Sequence, residues 1–220
     1  AYEAALAVAF LLMGFGFSIT QVLVVRELWV SFAGNELSIG MVLAGWLLFE
    51  ALGSAYLSRA LPSQSGARAY AGLQILFALL LGPVLYLAFG ARHLLGGVPG
   101  QGFSLLPMLL VSFALLMPLA LVDGMMFTVG CRAYEMARRG GALTAGRVYI
   151  LEAIGGVLGG VVFSLLLAPR VHTVRIALLI MTLKLCSALS LVLLARRDPE
   201  IDRPRRRGRV WAILSLATLS

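Results

Sequence analysis

Four side chains that carry charge at neutral pH stand inside long apolar runs: Glu50 in GWLLFEALGSA, Asp123 in PLALVDGMMF, Glu152 in VYILEAIGGV and Lys184 in IMTLKLCSA. A charge at the centre of a bilayer costs about 3 kcal/mol on insertion scales, so each must face protein, water or a cation. Counting from the ends of the apolar runs places the three acids in the inner half of their helices. Lys184 falls near the midplane, from where its long stem reaches toward Glu152. Such a cluster is able to bind an organic cation or relay protons. Neutralisation by Arg59, Arg132 or Arg147 at the same level is the favoured expectation, and it would make the cluster structural. Gln21 and Gln74 are expected to hydrogen-bond neighbouring helices. His93 and His172 are solitary and lack the facing pair that a membrane haem requires. Cys131 and Cys186 are too few for a disulfide framework or a metal site. A P-loop, a GxSxG elbow and a glycine-rich dinucleotide turn are missing from the sequence, so no catalytic residue, metal or cofactor is assigned.

The elements that must position these charges follow from composition. Hydrophobic residues make up 60% of the 220, charged residues 13%, and the mean hydropathy is +0.96, whereas soluble domains carry about 25% charged residues. A bilayer-spanning helix needs about 20 apolar residues, and runs of that length recur. They predict an all-α, polytopic transmembrane bundle over residues 1–220, with helices at 4–25, 37–57, 70–90, 105–130, 147–168 and 174–195 and the start of a seventh at 210. The first run is too long for a signal-peptide core. The seventh is cut short at Ser220, so the sequence is expected to be a piece of a longer protein. The half-apolar link from Arg26 to Glu36 is expected to lie along the membrane interface.

Seventeen of the eighteen basic residues are arginine, and they sit in the links between apolar runs. That reads as membrane topology rather than nucleic-acid binding, whatever the pI. Thirteen fall in the links after helices two, four and six, and four (Arg26, Arg92, Arg170 and Arg175) fall on the other side. The N-terminus is therefore expected in the cytoplasm. Gly155, Gly156, Gly159 and Gly160 form two overlapping GxxxG spacings suited to close helix packing, within one bundle or in a homo-oligomer. Pro83, Pro107 and Pro118 are expected to kink the third and fourth helices.

Two stretches carry a resemblance. QVLVVRELWVSFAGNELSIGMVLAGWLLFEALGSAYLSR, from Gln21 to Arg59, and GRVYILEAIGGVLGGVVFSLLLAP, from Gly146 to Pro169, resemble bacterial multi-pass membrane proteins of the spermidine-synthase-like kind. The matching residues include Gln21, Arg26, Glu27, Asn35, Glu36, Arg147 and Tyr149. Glu152 stands where that family often has an amide. The resemblance implies a bundle like half of a major-facilitator transporter, in a bacterial cytoplasmic membrane, joined to a soluble aminopropyltransferase-like domain outside these residues. From the residues themselves, Arg26, Glu27 and Glu36 are expected to fix the link over helix two by an ion pair and a helix-start acid. Three functions follow as expectations. The first is a membrane anchor or scaffold for that enzyme domain. The second is a transporter half moving a small cationic or polyamine-like substrate. The third is a non-catalytic subunit of a larger complex. Lipid is the expected partner in each case, other membrane subunits in the third, and nucleic acid in none.

Overall fold

The computed structural model describes residues 2–61, 66–96, 103–138 and 144–197, and they are helical nearly throughout, with no strand among them. Six long helices follow in order: α1 (Tyr2–Ser31), α2 (Leu37–Ala55), α3 (Ala67–Leu94), α4 (Leu105–Arg138), α5 (Thr144–Val162) and α6 (Thr173–Arg197). A 3-10 turn, Leu57–Ala60, continues α2, and a π-helical turn, Phe163–Leu167, continues α5. With these extensions all six are long and apolar enough to cross a membrane. The chain is a multi-pass helical bundle. The expected seventh helix lies outside the described residues.

The helices overrun the apolar runs because backbone hydrogen bonding continues where the side chains turn polar. One overrun corrects an expectation. Residues 26–31 do not lie along the interface but complete α1, and the chain turns only at Ala33 (φ 59°) and Gly34 (φ 77°). There the Gly34 N–H donates to Trp29 O at 2.9 Å, the long-range bond of a left-handed helix stop. The start of α2 is then held by Asn35, whose Oδ1 accepts from the Leu37 N–H at 3.0 Å while the Ser38 hydroxyl donates to the Asn35 carbonyl at 2.6 Å. Glu36 makes no capping bond. Asn35→Ala is expected to cost about 1 kcal/mol, the usual worth of a cap, read as a lower thermal unfolding midpoint; Glu36→Ala should leave that midpoint unchanged. Pro83 and Pro118 lie inside helices. Pro107 does not kink α4, since it falls in the first turn, where no amide donor is needed.

Packing divides unevenly among the helices. α1 packs chiefly on α5, α2 on α4, and α3 on α6 and α4, while α1–α2, α1–α4 and α4–α5 contacts are slight. Exchanging α1 with α4, α2 with α5 and α3 with α6 leaves this pattern nearly unchanged; only the α1–α3 contact lacks a counterpart of similar extent among the described residues. The atoms repeat as well. Gly14 of α1 lies against the Glu152 carbonyl of α5, and Gly124 of α4 against the Glu50 carbonyl of α2. Gly155 meets the Leu11 carbonyl, and Gly53 the Leu121 carbonyl. Gly156 faces the Ser18 hydroxyl, and at the equivalent rung Ser54 and Thr128 hydrogen-bond at 2.8 Å. One constant sequence shift relates all the α1 and α4 members, and a second relates those of α2 and α5. Under them LLMGFGFSI (11–19) aligns with LVDGMMFTV (121–129), and FEALG (49–53) with LEAIG (151–155). Pairing in register makes α1 parallel to α5 and α2 parallel to α4. The two three-helix halves are therefore an inverted repeat about an axis in the membrane plane.

This corrects the glycine expectation. Gly155 and Gly159 are buried against α1, where a Cβ at Gly159 would lie 2.6 Å from Phe15 O, whereas nothing lies within 4 Å of a Cβ built on Gly160. Neighbouring residues are about 100° apart around a helix, so only one of two overlapping GxxxG spacings can centre on a single partner. Gly156 remains at the edge of that contact.

Candidate functional site

The interlocked glycines set the geometry of the charged residues. Asp123 immediately precedes Gly124, and Glu50 and Glu152 are the residues whose carbonyls meet Gly124 and Gly14. Close backbone approach thus brings the acids of α2, α4 and α5 toward one another. Asp123 interacts electrostatically with Lys184, Glu50 and Glu152, and Glu152 with Glu50 and Lys184. All four fall within a helical turn of the middle of their spans, Leu37–Ala60, Leu105–Ala137, Thr144–Leu167 and Thr173–Arg196. The acids were expected in the inner half of the apolar runs, and the added turns of α4 and α5 lie beyond those runs.

Lys184 crosses from α6 into this centre because α1 carries Gly16 beside it, where a Cβ would lie 3.0 Å from Lys184 Cε. Its ammonium lies 4.6 Å from the centre of the Phe77 ring of α3, a cation–π contact. Asp123 and Lys184 are 1% and 2% exposed, yet Asp123 Oδ1 and Lys184 Nζ have no hydrogen-bond partner. Gln74, one turn before Phe77 and fully buried, makes no hydrogen bond to a neighbouring helix, contrary to the expected interhelical bond, and its side chain has Tyr70 of its own helix as a neighbour. Glu50 and Glu152 are half-buried.

The expected arginine neutralisation does not occur. The Arg132 guanidinium donates to the Ser58 carbonyl at 3.0 Å, Arg59 lies over the Tyr56 ring at 5.6 Å, and Arg147 is exposed. These guanidinium groups lie toward the ends of their helices, whereas the acids lie near the helix middles.

The repeat exposes an asymmetry at the centre. Glu50 and Glu152 are equivalent, but the equivalent of Asp123 is Met13, whose sulfur accepts from the buried Tyr70 hydroxyl at 3.3 Å. One half supplies an acid where the other supplies an apolar residue. Several polar side chains that carried no sequence signal also lie buried with unbonded atoms: Thr20, Trp46, Ser112 and Ser187.

The residues of the resemblance do not converge on this site. Gln21 is half-buried, while Arg26, Glu36, Arg147 and Tyr149 are exposed. Glu27 is buried and accepts a hydrogen bond from Thr173 Oγ1 at 2.9 Å, tying the end of α1 to the start of α6. The expected Arg26–Glu27–Glu36 staple is replaced by this bond and by Asn35. Cys131 and Cys186 are free. No group of three metal-ligating side chains occurs among the described residues. No family model, curated protein or solved structure matches the chain, so the resemblance to spermidine-synthase-like proteins gains no support from them.

Proposed function

We propose that the bundle binds a small cation, the proton included, at its midplane cluster and carries it across the membrane. The observation that carries the reading is the pair Asp123 and Lys184: opposite charges, both buried, within electrostatic reach, and each with an unbonded polar atom. A buried ion pair kept for stability alone closes into hydrogen-bonded contact, because unpaired buried charge is expensive. An open pair flanked by two further carboxylates is suited to exchange. A cation or proton taken up by Asp123, Glu50 or Glu152 replaces the neutralisation that Lys184 otherwise provides. The inverted repeat supports the same reading, since midplane sites between inverted halves suit alternating access.

Binding is tested by thermal unfolding of the purified protein across proton, sodium, potassium and methylammonium concentrations. A ligand at one hundred times its dissociation constant stabilises by about 2.7 kcal/mol. One cation is expected to raise the wild-type midpoint and to leave Asp123→Asn unmoved; no cation effect in the wild type, or an equal one in the variant, would contradict the proposal. The anchor reading, in which the bundle holds an aminopropyltransferase-like domain, rests on the sequence resemblance alone.

The arginine asymmetry supports an N-terminus on the cytoplasmic side, and the resemblance alone supports a bacterial cytoplasmic membrane. In a background lacking Cys131 and Cys186, Ala60→Cys should react with a membrane-impermeant thiol reagent only from the cytoplasmic side. His93→Cys should react only from the opposite side; labelling of both from one side overturns the arrangement.

A further inference from the structure

Three of the four arginines on the arginine-poor side, Arg26, Arg170 and Arg175, line a single pocket together with His172. The pocket is an open concavity of about 650 Å³ where α1 nears its end, the π-helical turn closes and α6 begins. Arg170 is held in place by its Nη1 donating to Leu165 O, at 2.8 Å. The nearest acid in sequence, Glu27, is buried and accepts a hydrogen bond from the Thr173 hydroxyl. The start of α6 adds the positive end of a 25-residue helix to the same wall.

Arginine on the translocated side runs against the topological preference. Three brought together also repel one another unless an anion joins them. Guanidinium groups match the paired oxygens of a phosphate or a carboxylate with two parallel hydrogen bonds. We propose that this pocket binds a phosphate oxyanion, carried either by a phospholipid headgroup or by a soluble phosphate. Its position at the end of the spans puts it at headgroup depth, where basic pockets between helices take up lipid phosphates.

The test titrates the purified protein in neutral detergent with two probes. Phosphatidylglycerol binding is followed by native mass spectrometry, and inorganic phosphate binding by thermal unfolding. At least one is expected to bind the wild type, with affinity falling tenfold or more in Arg170→Gln/Arg175→Gln and unchanged in Arg196→Gln, whose arginine stands at the opposite end of α6. A response to phosphatidylglycerol alone identifies the lipid headgroup as the source, and a response to phosphate alone the soluble anion. Equal binding of both probes by the wild type and the double variant overturns the proposal, as does an equal loss in Arg196→Gln. Should the double variant fail to fold, Arg26→Gln is read by the same criteria.

Discussion

Gly14→Leu and Gly124→Leu are each expected to abolish recovery of folded protein, while Gly160→Leu is recovered at the wild-type level. At Gly14 and Gly124 a Cβ would collide with the carbonyls of Glu152 and Glu50, and backbone atoms of a packed helix cannot step aside as a flexible side chain can. Relieving the collision means prising α1 from α5 or α4 from α2, the two most extensive helix pairs in the bundle. Overpacking typically costs about 1–3 kcal/mol when side chains absorb it and more when backbone must move. Domain stabilities of about 5–15 kcal/mol leave little reserve for that. Gly160 has open space around it, so the same substitution there adds only apolar surface facing lipid. Recovery is measured by size-exclusion chromatography after detergent extraction. Equal recovery of all three variants would contradict the interlocked arrangement. Because the two collisions are equivalent under the repeat, losses at Gly14 and Gly124 should be similar in size.

The second large effect is expected at Lys184. Lys184→Met removes the cation that Asp123 and Glu152 both feel, leaving carboxylates at the midplane without an opposite charge. Breaking a buried charge pair by removing one member costs about 3–5 kcal/mol, whereas replacing both members by neutral groups of similar volume is often close to neutral. Lys184→Met is thus expected to unfold at markedly lower denaturant, and Asp123→Asn/Lys184→Met to regain most of that loss. The cycle also separates stability from function. If the pair only supported the fold, the double variant would bind and move cations like the wild type. If the pair is the exchange site, the double variant folds and does neither. A double variant no more stable than Lys184→Met would show that Lys184 is held chiefly by Phe77 and Glu152 rather than by Asp123.

Much of the architecture is legible in the sequence, for a physical reason. Insertion into lipid demands about 20 consecutive apolar residues, and no other constraint writes itself so directly into composition. Helix ends are less legible because hydropathy marks where lipid stops, not where hydrogen bonding stops. The stretch 26–31 reads as part of a half-apolar interfacial link and is the last turns of α1. The four charged residues stand out by the same hydropathy, but their partners do not, since depth counted from apolar runs places the acids at the level of the arginines. Only the packed structure, in which Arg132 turns to the Ser58 carbonyl and Arg59 to the Tyr56 ring, separates the two. The strongest signal of the inverted halves is self-similarity, which hydropathy does not register. LLMGFGFSI against LVDGMMFTV and FEALG against LEAIG are short internal matches in corresponding helices of the two halves. They encode the glycine rungs and the equivalence of Glu50 with Glu152, and comparing the chain with itself finds both. GxxxG spacing alone misleads in detail, because spacing gives a face of a helix but not which face meets a partner. The pocket of Arg26, Arg170 and Arg175 joins residues far apart in the chain, and no local pattern announces it.

Cation flux through reconstituted liposomes probes transport at the midplane cluster itself. Purified protein is incorporated into vesicles, an inward gradient of the cation that stabilises it is imposed, and uptake is followed with an internal indicator. Asp123→Asn, Asp123→Asn/Lys184→Met and protein-free vesicles run in parallel. A carrier working through Asp123 and Lys184 gives uptake above the protein-free rate for the wild type, and the protein-free rate for both variants although both are folded. Uptake by folded Asp123→Asn at the wild-type rate, or none by the wild type for any cation that stabilises it, would contradict such a carrier.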